Sequence, residues 1–364
     1  MKKRIIAVSA VLAIAIAGFV IWAFSCKKDG DFEFLSPKEA SAAAMEVLGS
    51  KYENFIISDD IDIDVKPIDE LYTFKADLSS NCDKLKQADK LAELMIPGIE
   101  LISSEEQDPG TITKWYKFGD VEASVYYCDD STFVFGRTEH SGTETLDVKC
   151  RKYVIVRDDL SQSYNLNGEQ YSVEDAVRYA ERFSEEKLMP FFPNDSGVEA
   201  EAATVLQMDN GNYWISVQLR HYMHGCPVST SGSAIMGEAF MRPEQLILTF
   251  DGKNDICHIK NNCYSTVAES KKLKKIISLR SALKHLEKTL APGLNYSISR
   301  ISLEYCARIE DINNFEFEYH PMWTMIVAEG TPSGIKPYPR TTIYVDAVNG
   351  EICCFSDAEN RMIF

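Results

Sequence analysis

Thr341-Thr342-Ile343-Tyr344-Val345-Asp346-Ala347-Val348-Asn349-Gly350-Glu351-Ile352 is the stretch on which the reading of the fold turns. Two β-rich runs flank a polar break, and Asn349-Gly350 readily supplies the positive φ angles of a tight turn. The segment therefore reads as strand, turn, strand, with Asp346 where the first strand ends. A fainter copy lies upstream: Leu246-Ile247-Leu248-Thr249-Phe250-Asp251-Gly252-Lys253-Asn254-Asp255-Ile256. Strand, Asp, a break with Gly and an apolar residue thus recur about ninety-five positions apart. Such recurrence marks a module used more than once.

Working outward, each candidate module opens with a capped helix. Ser36-Pro37-Lys38-Glu39 supplies an N-cap, Pro at N1 and Glu at N3, and the apolar stripe Ala40, Ala43, Ala44, Val47 and Leu48 predicts a helix to about Lys51. Leu85, Ala88, Leu91 and Ala92 form a second helical pattern, stopped by Pro97-Gly98. Ser172 caps a third with Val173, Ala176, Val177, Ala180 and Phe183. Ser278 opens a fourth with Leu279, Ala282, Leu283, Leu286 and Leu290. Strand-like segments follow each of the later helices, including Trp115–Tyr127 around Gly119-Asp120, Tyr213–Tyr222 and Tyr296–Arg308. The expected class is α+β: tandem units of one helix packed on a small antiparallel sheet, behind an N-terminal membrane helix. The expected divisions are 1–28 (anchor or lipoprotein signal), 29–160, 161–270 and 271–364.

The N-terminus is the most specific feature of the chain. Met1-Lys2-Lys3-Arg4 precedes Ile5–Phe24, twenty residues without a charge. At about 1.5 Å per residue such a helix spans roughly 30 Å, the depth of a bilayer core. The basic cluster is expected to stay cytoplasmic and the remainder to lie outside. Two fates fit: an uncleaved anchor, or cleavage and acylation at Cys26, because Ala23-Phe24-Ser25-Cys26 is similar to the lipobox of bacterial lipoproteins. Either places a tethered body at the extracytoplasmic face of the cell membrane.

Charge narrows the partners. The net charge is −17, from 38 basic and 55 acidic residues. Lys2, Lys3, Arg4, Lys27 and Lys28 bracket the apolar run; without those five, 33 basic residues face 55 acidic ones, a net −22. That surface repels nucleic acid at long range. The ten cysteines are irregularly spaced with no CxxC. They are expected as small buried hydrophobes in a compartment that keeps thiols reduced, although Cys257 and Cys263 come close if Asn261-Asn262 turns.

Ile343-Tyr344-Val345-Asp346-Ala347-Val348-Asn349-Gly350-Glu351-Ile352 resembles the closing hairpin of PepSY domains, in which a strand leads into an Asp-Ala-x-x-Gly-Glu turn. Val217-Gln218-Leu219-Arg220-His221-Tyr222-Met223-His224-Gly225-Cys226-Pro227-Val228 resembles the strand and Gly-x-Pro-Val ending of the FTP module, which precedes PepSY in thermolysin-type propeptides. The single span, the extracytoplasmic body and Tyr319-His320-Pro321-Met322-Trp323 are also similar to the accessory proteins YycH and YycI, which restrain a membrane sensor kinase. These resemblances imply a non-enzymatic role: binding a protein or peptide and thereby modulating a protease or kinase. They point to Arg220, Tyr222, Gly225 and Pro227, and to Tyr344, Asp346, Gly350 and Glu351, as binding positions.

Catalytic and metal chemistry finds little footing in the sequence. There is no His-Glu-x-x-His, phosphate loop or dinucleotide fingerprint. His221 and His224 are three apart on a strand, where side chains point to opposite faces, so zinc ligation is not expected. Ser231-Gly232-Ser233 lacks the glycines of a nucleophile elbow. Asp59-Asp60-Ile61-Asp62-Ile63-Asp64 alternates carboxylates without the Gly and terminal Glu of an EF-hand, and reads as a solvated acidic edge. Lys271–Lys275 reads as a wet approach to the fourth helix. No cofactor is expected. The rival readings are an extracytoplasmic hydrolase using His221, His224 and a distant carboxylate, and an envelope scaffold.

Overall fold

A computed structural model describes residues 32–57, 61–76, 84–108, 111–127, 133–137, 150–156, 159–189, 197–208, 210–230, 235–236, 239–242, 245–261, 267–290, 296–311, 316–329 and 340–356. The N-terminal apolar run and Cys26 lie outside these residues, as do Ser231–Ser233, Cys263, Asp59 and Asp60. Among the described residues no helix is long and apolar enough to cross a membrane.

The first stretch of chain holds β1 (Phe34–Leu35), α1 (Pro37–Ala43), β2 (Phe55–Ile56), β3 (Asp62–Asp64) and β4 (Leu71–Ala76). Next come α2 (Lys84–Met95), β5 (Glu100–Asp108), β6 (Thr111–Phe118), β7 (Val121–Tyr127), β8 (Phe133–Arg137) and β9 (Cys150–Ile155). A hairpin, β10 (Ser163–Leu166) and β11 (Glu169–Ser172), leads into α3 (Val173–Phe183), β12 (Gly197–Gln207), β13 (Tyr213–Met223) and β14 (Cys226–Pro227). Then follow β15 (Ile235–Met236), β16 (Ala239–Arg242), β17 (Leu246–Gly252), β18 (Asp255–Asn261), β19 (Val267–Leu273) and β20 (Ile276–Ile277). The chain closes with α4 (Leu279–Thr289), β21 (Tyr296–Asp311), β22 (Glu316–Glu329), β23 (Arg340–Asp346) and β24 (Ile352–Ser356).

The α+β expectation of small separate sheets is corrected here: the described residues are mostly strand, gathered into two ten-stranded sheets. The chain forms two compact units, each discontinuous in sequence. One holds Met1–Lys75, Ser231–Arg242 and Ser270–Phe364, the other Ala76–Thr230 and Pro243–Glu269.

The unit formed by 76–230 and 243–269 shows why the small-sheet reading fails. Its strand order is β5-β6-β7-β8-β18-β17-β13-β12-β9, with β14 beside β13. Two antiparallel meanders are thus joined through their last strands, where Phe133–Gly136 of β8 pairs with His258–Asn261 of β18. A four-stranded meander standing alone has two open edges with unpaired N–H and C=O groups. Joining two removes one edge from each. Leu246, Leu248 and Phe250 of β17 lie opposite Leu219, Val217 and Ile215 of β13, and all six are fully buried. Ala88, Leu91 and Ala92 of α2 and Ala176, Val177 and Ala180 of α3 enter the same core. The intervening residues of β13 and β17 (Ser216, Gln218, Arg220, Thr249 and Asp251) alternate onto the other face.

In the second unit β21 and β22 form a long antiparallel ribbon, extended by β23 and β24. The other edge of β21 is shared end to end: β2 and β3 pair with it in parallel, and β16 antiparallel. Parallel pairing of strands so short is not encoded in any local pattern. α1 is shorter than the sequence predicts, ending at Ala43 and tightening into a 3₁₀ turn over Ala44–Val47. Its capping box forms, with Ser36 accepting from the Glu39 amide and Glu39 accepting from the Ser36 amide.

The stretch at Thr341–Ile352 is knotted to the start of α4. The Ile277 amide donates to the Ala347 carbonyl (2.7 Å), the Ala347 amide to Pro321 (3.0 Å), and the Trp323 indole to the Ile277 carbonyl (2.8 Å). Trp323 is fully buried. Trp323→Phe keeps most of the ring but strands the Ile277 carbonyl without its donor. It is expected to destabilise the protein by about 1–3 kcal/mol, read as a lower urea midpoint with an unchanged m-value.

Candidate functional site

The turn at 346–350 is built on one carboxylate. Asp346 closes β23 with its side chain fully buried, and its Oδ1 accepts from the Val348 amide (2.7 Å) and the Asn349 amide (3.3 Å). Gly350 sits at φ +80°, and its amide donates to the Asp346 carbonyl (2.8 Å). A Cβ at this position would lie 2.5 Å from the Phe32 ring, so glycine is required here twice over. The other oxygen, Oδ2, takes Arg308 Nη1 at 3.1 Å and His320 Nδ1 at 2.8 Å. Arg308 Nη2 also reaches Glu351 at 2.9 Å, and His320 Nε2 faces Glu318 at 3.5 Å. Burial alone pulls the His320 pKa down, but the hydrogen bond and charge of Asp346, with Glu318, outweigh it and leave the imidazole above its ordinary value.

The other unit repeats this construction at the upstream copy. Asp251 is the penultimate residue of β17, Asn254 takes the positive φ (+58°), and Asp255 opens β18. Arg137 spans the two carboxylates, 3.3 Å from Asp251 and 2.5 Å from Asp255. Two hairpins therefore share an acid before the turn, an acid after it and an arginine between. The shared chemistry is that of a turn lock.

The binding positions drawn from the resemblances fall in two places. Tyr344 and Asp346 are fully buried, Gly350 is buried against Phe32, and only Glu351 keeps partial exposure. Arg220 and Tyr222 lie on one face of β13, both buried, with the guanidinium carbon 5.5 Å from the Tyr222 ring centre. Gly225 turns the chain at φ +78°, and Pro227 on β14 pairs with Tyr222. The two groups belong to different units. His221 is buried in β13, and that burial drives its pKa down to about 3. His224 sits in the following turn at φ +52°. Asp62 and Asp64 of the alternating acidic run do not form a wholly wet edge: Arg300 reaches both, at 3.6 and 2.7 Å, and Asp64 is nearly buried. Cys226, Cys257, Cys306 and Cys353 are buried, with burial raising Cys353 to about 12.

Sequence reasoning passed over an accessible apolar feature at a sheet edge. Among the described residues β5 pairs only with β6, so its outer edge is open. Leu101, Ile102 and Phe118 are each about half exposed (51%, 56% and 52%). Leu101 lies opposite Tyr116, diagonal to Phe118 on the same face, while Ile102 sits in a bulge. Glu100, Ser103, Ser104, Glu105 and Glu106 are exposed along the same strand. The available signal was Leu101-Ile102 between Glu100 and, two serines on, Glu105-Glu106.

No protein-family model and no curated protein sequence matches the chain. Among solved structures it is similar to the crystal structure of an uncharacterized protein from Eubacterium rectale ATCC 33656. The TM-score is 0.51 at 15% identity, over 85% of this chain and 91% of that one. That likeness is one of fold alone.

Proposed function

We propose that this is a membrane-tethered extracytoplasmic binding protein that regulates a protease or sensor kinase by holding an extended segment of it. The observation that carries the reading is the open edge of β5, where backbone hydrogen-bonding groups and half-exposed Leu101 and Ile102 stand side by side. Edge strands left open template a further strand, the ladder giving affinity and the alternating side chains selectivity. The uncharged run Ile5–Phe24 supplies the tether, and the acidic balance of the remainder argues against nucleic acid as the partner.

The test is affinity capture from host membranes with the detergent-solubilised full chain, beside a Leu101→Asp/Ile102→Asp variant. A protease or kinase retained by the native chain and lost from the variant is the expected outcome. An identical retained set for both proteins would contradict it.

A further inference from the structure

We infer that the β5 edge takes a basic extended segment of a protein partner; this rests on the binding role just proposed and names its ligand chemistry. The inference comes from the register of β5 on β6. Glu100, Ser103 and Glu105 lie opposite Lys117, Trp115 and Thr113, and therefore share one face. Leu101, Ser104 and Glu106 lie opposite Tyr116, Lys114 and Ile112, and share the other. A strand added outside β5 places its side chains about 4.5–5.5 Å from these. One of its faces meets two carboxylates, Glu100 and Glu105. The other meets an apolar residue, Leu101, followed by Glu106.

The complement is a strand with Lys or Arg on the first face and an apolar residue, then a cation, on the second. A second copy of this chain is the wrong occupant. Antiparallel pairing of β5 with itself brings together two strands that each carry Glu100, Glu105 and Glu106 and no cation, and like charges brought close across a ladder destabilise it. The acidic surface adds long-range attraction for a cationic segment, an attraction that weakens with salt.

The experiment uses the full chain in detergent and fluorescence anisotropy with three nine-residue peptides: alternating Lys and Val, alternating Glu and Val, and the Lys/Val peptide with two central prolines. The Lys/Val peptide is expected to bind, to weaken as salt rises, and to bind at least about tenfold less well to Glu105→Lys/Glu106→Lys. The Glu/Val and proline peptides are expected not to bind the native chain, because one repels and the other cannot complete the ladder. Thermal melts of the variant matching the native chain keep the comparison interpretable, both substitutions being on exposed residues. Equal Lys/Val binding by native and variant chains, or none by either, would overturn the inference. So would sedimentation showing a dimer that the Lys substitutions dissolve. Membrane capture lost in Leu101→Asp/Ile102→Asp but intact in Glu105→Lys/Glu106→Lys would leave the binding role standing and remove only its basic ligand.

Discussion

Asp346→Ala is expected to lower unfolding stability by about 3–5 kcal/mol, the range for removing one partner of a buried ion pair. The loss has two sources. Arg308 and His320 lose the oxygen on which they converge, and the Val348 and Asn349 amides lose their acceptor. Asp346→Asn separates the two, because an amide oxygen still serves the turn amides while the charge is gone. It is expected to fall toward the lower end, since Glu351 still pairs with Arg308. Urea denaturation of both variants checks this. A cost below about 1 kcal/mol for the alanine variant would mean that the hairpin does not depend on its carboxylate.

Stability is expected to fall from both sides of neutral pH, for reasons of opposite sign. His221 has its pKa driven down to about 3 by burial. As pH falls below about 6.5 the unfolded chain takes up a proton at this position that the folded chain refuses. Stability then drops by about 1.4 kcal/mol per pH unit, roughly 5 kcal/mol in all by pH 3. His258, lowered to about 4 by burial and by Lys260, acts in the same direction. His320 acts oppositely. Its raised pKa gives stability that is complete below about 6.5 and is lost as pH climbs through the folded value. Unfolding midpoints from pH 4 to 9 should therefore show a maximum near neutrality, with the acid limb flattened in His221→Gln. An unchanged acid limb in that variant would remove His221 from the account.

Local features of the fold were legible because they are short-range chemistry. Ser36, Ser172 and Ser278 each cap a helix through their own hydroxyl, within three residues of sequence. The Asp346–Gly350 turn is likewise written into five consecutive residues. The sheets were not legible, because their decisive pairings join distant segments. Nothing near Phe133 or His258 announces that β8 and β18 lie side by side, and nothing in Asp62-Ile63-Asp64 specifies parallel pairing with Arg300–Ser302.

The candidate site divides in the same way. Asp346 and Glu351 were visible as turn residues, and the structure adds Arg308, which locks both, His320, which shares the Asp346 oxygen, and the counterpart Arg137 of the upstream turn. Leu101 and Ile102 look in sequence like any strand residues bound for a core. Only the strand order leaves them on an open edge, and edge position is a property of topology.

Amide hydrogen exchange over residues 100–108 of the full chain, with and without the Lys/Val peptide, tests the central claim most directly. Added strand pairing is expected to slow exchange at alternate amides of β5, the ones that face outward in the free chain, and to leave the buried β17 amides unchanged. Saturating peptide that protects another segment while β5 exchanges as before would contradict it.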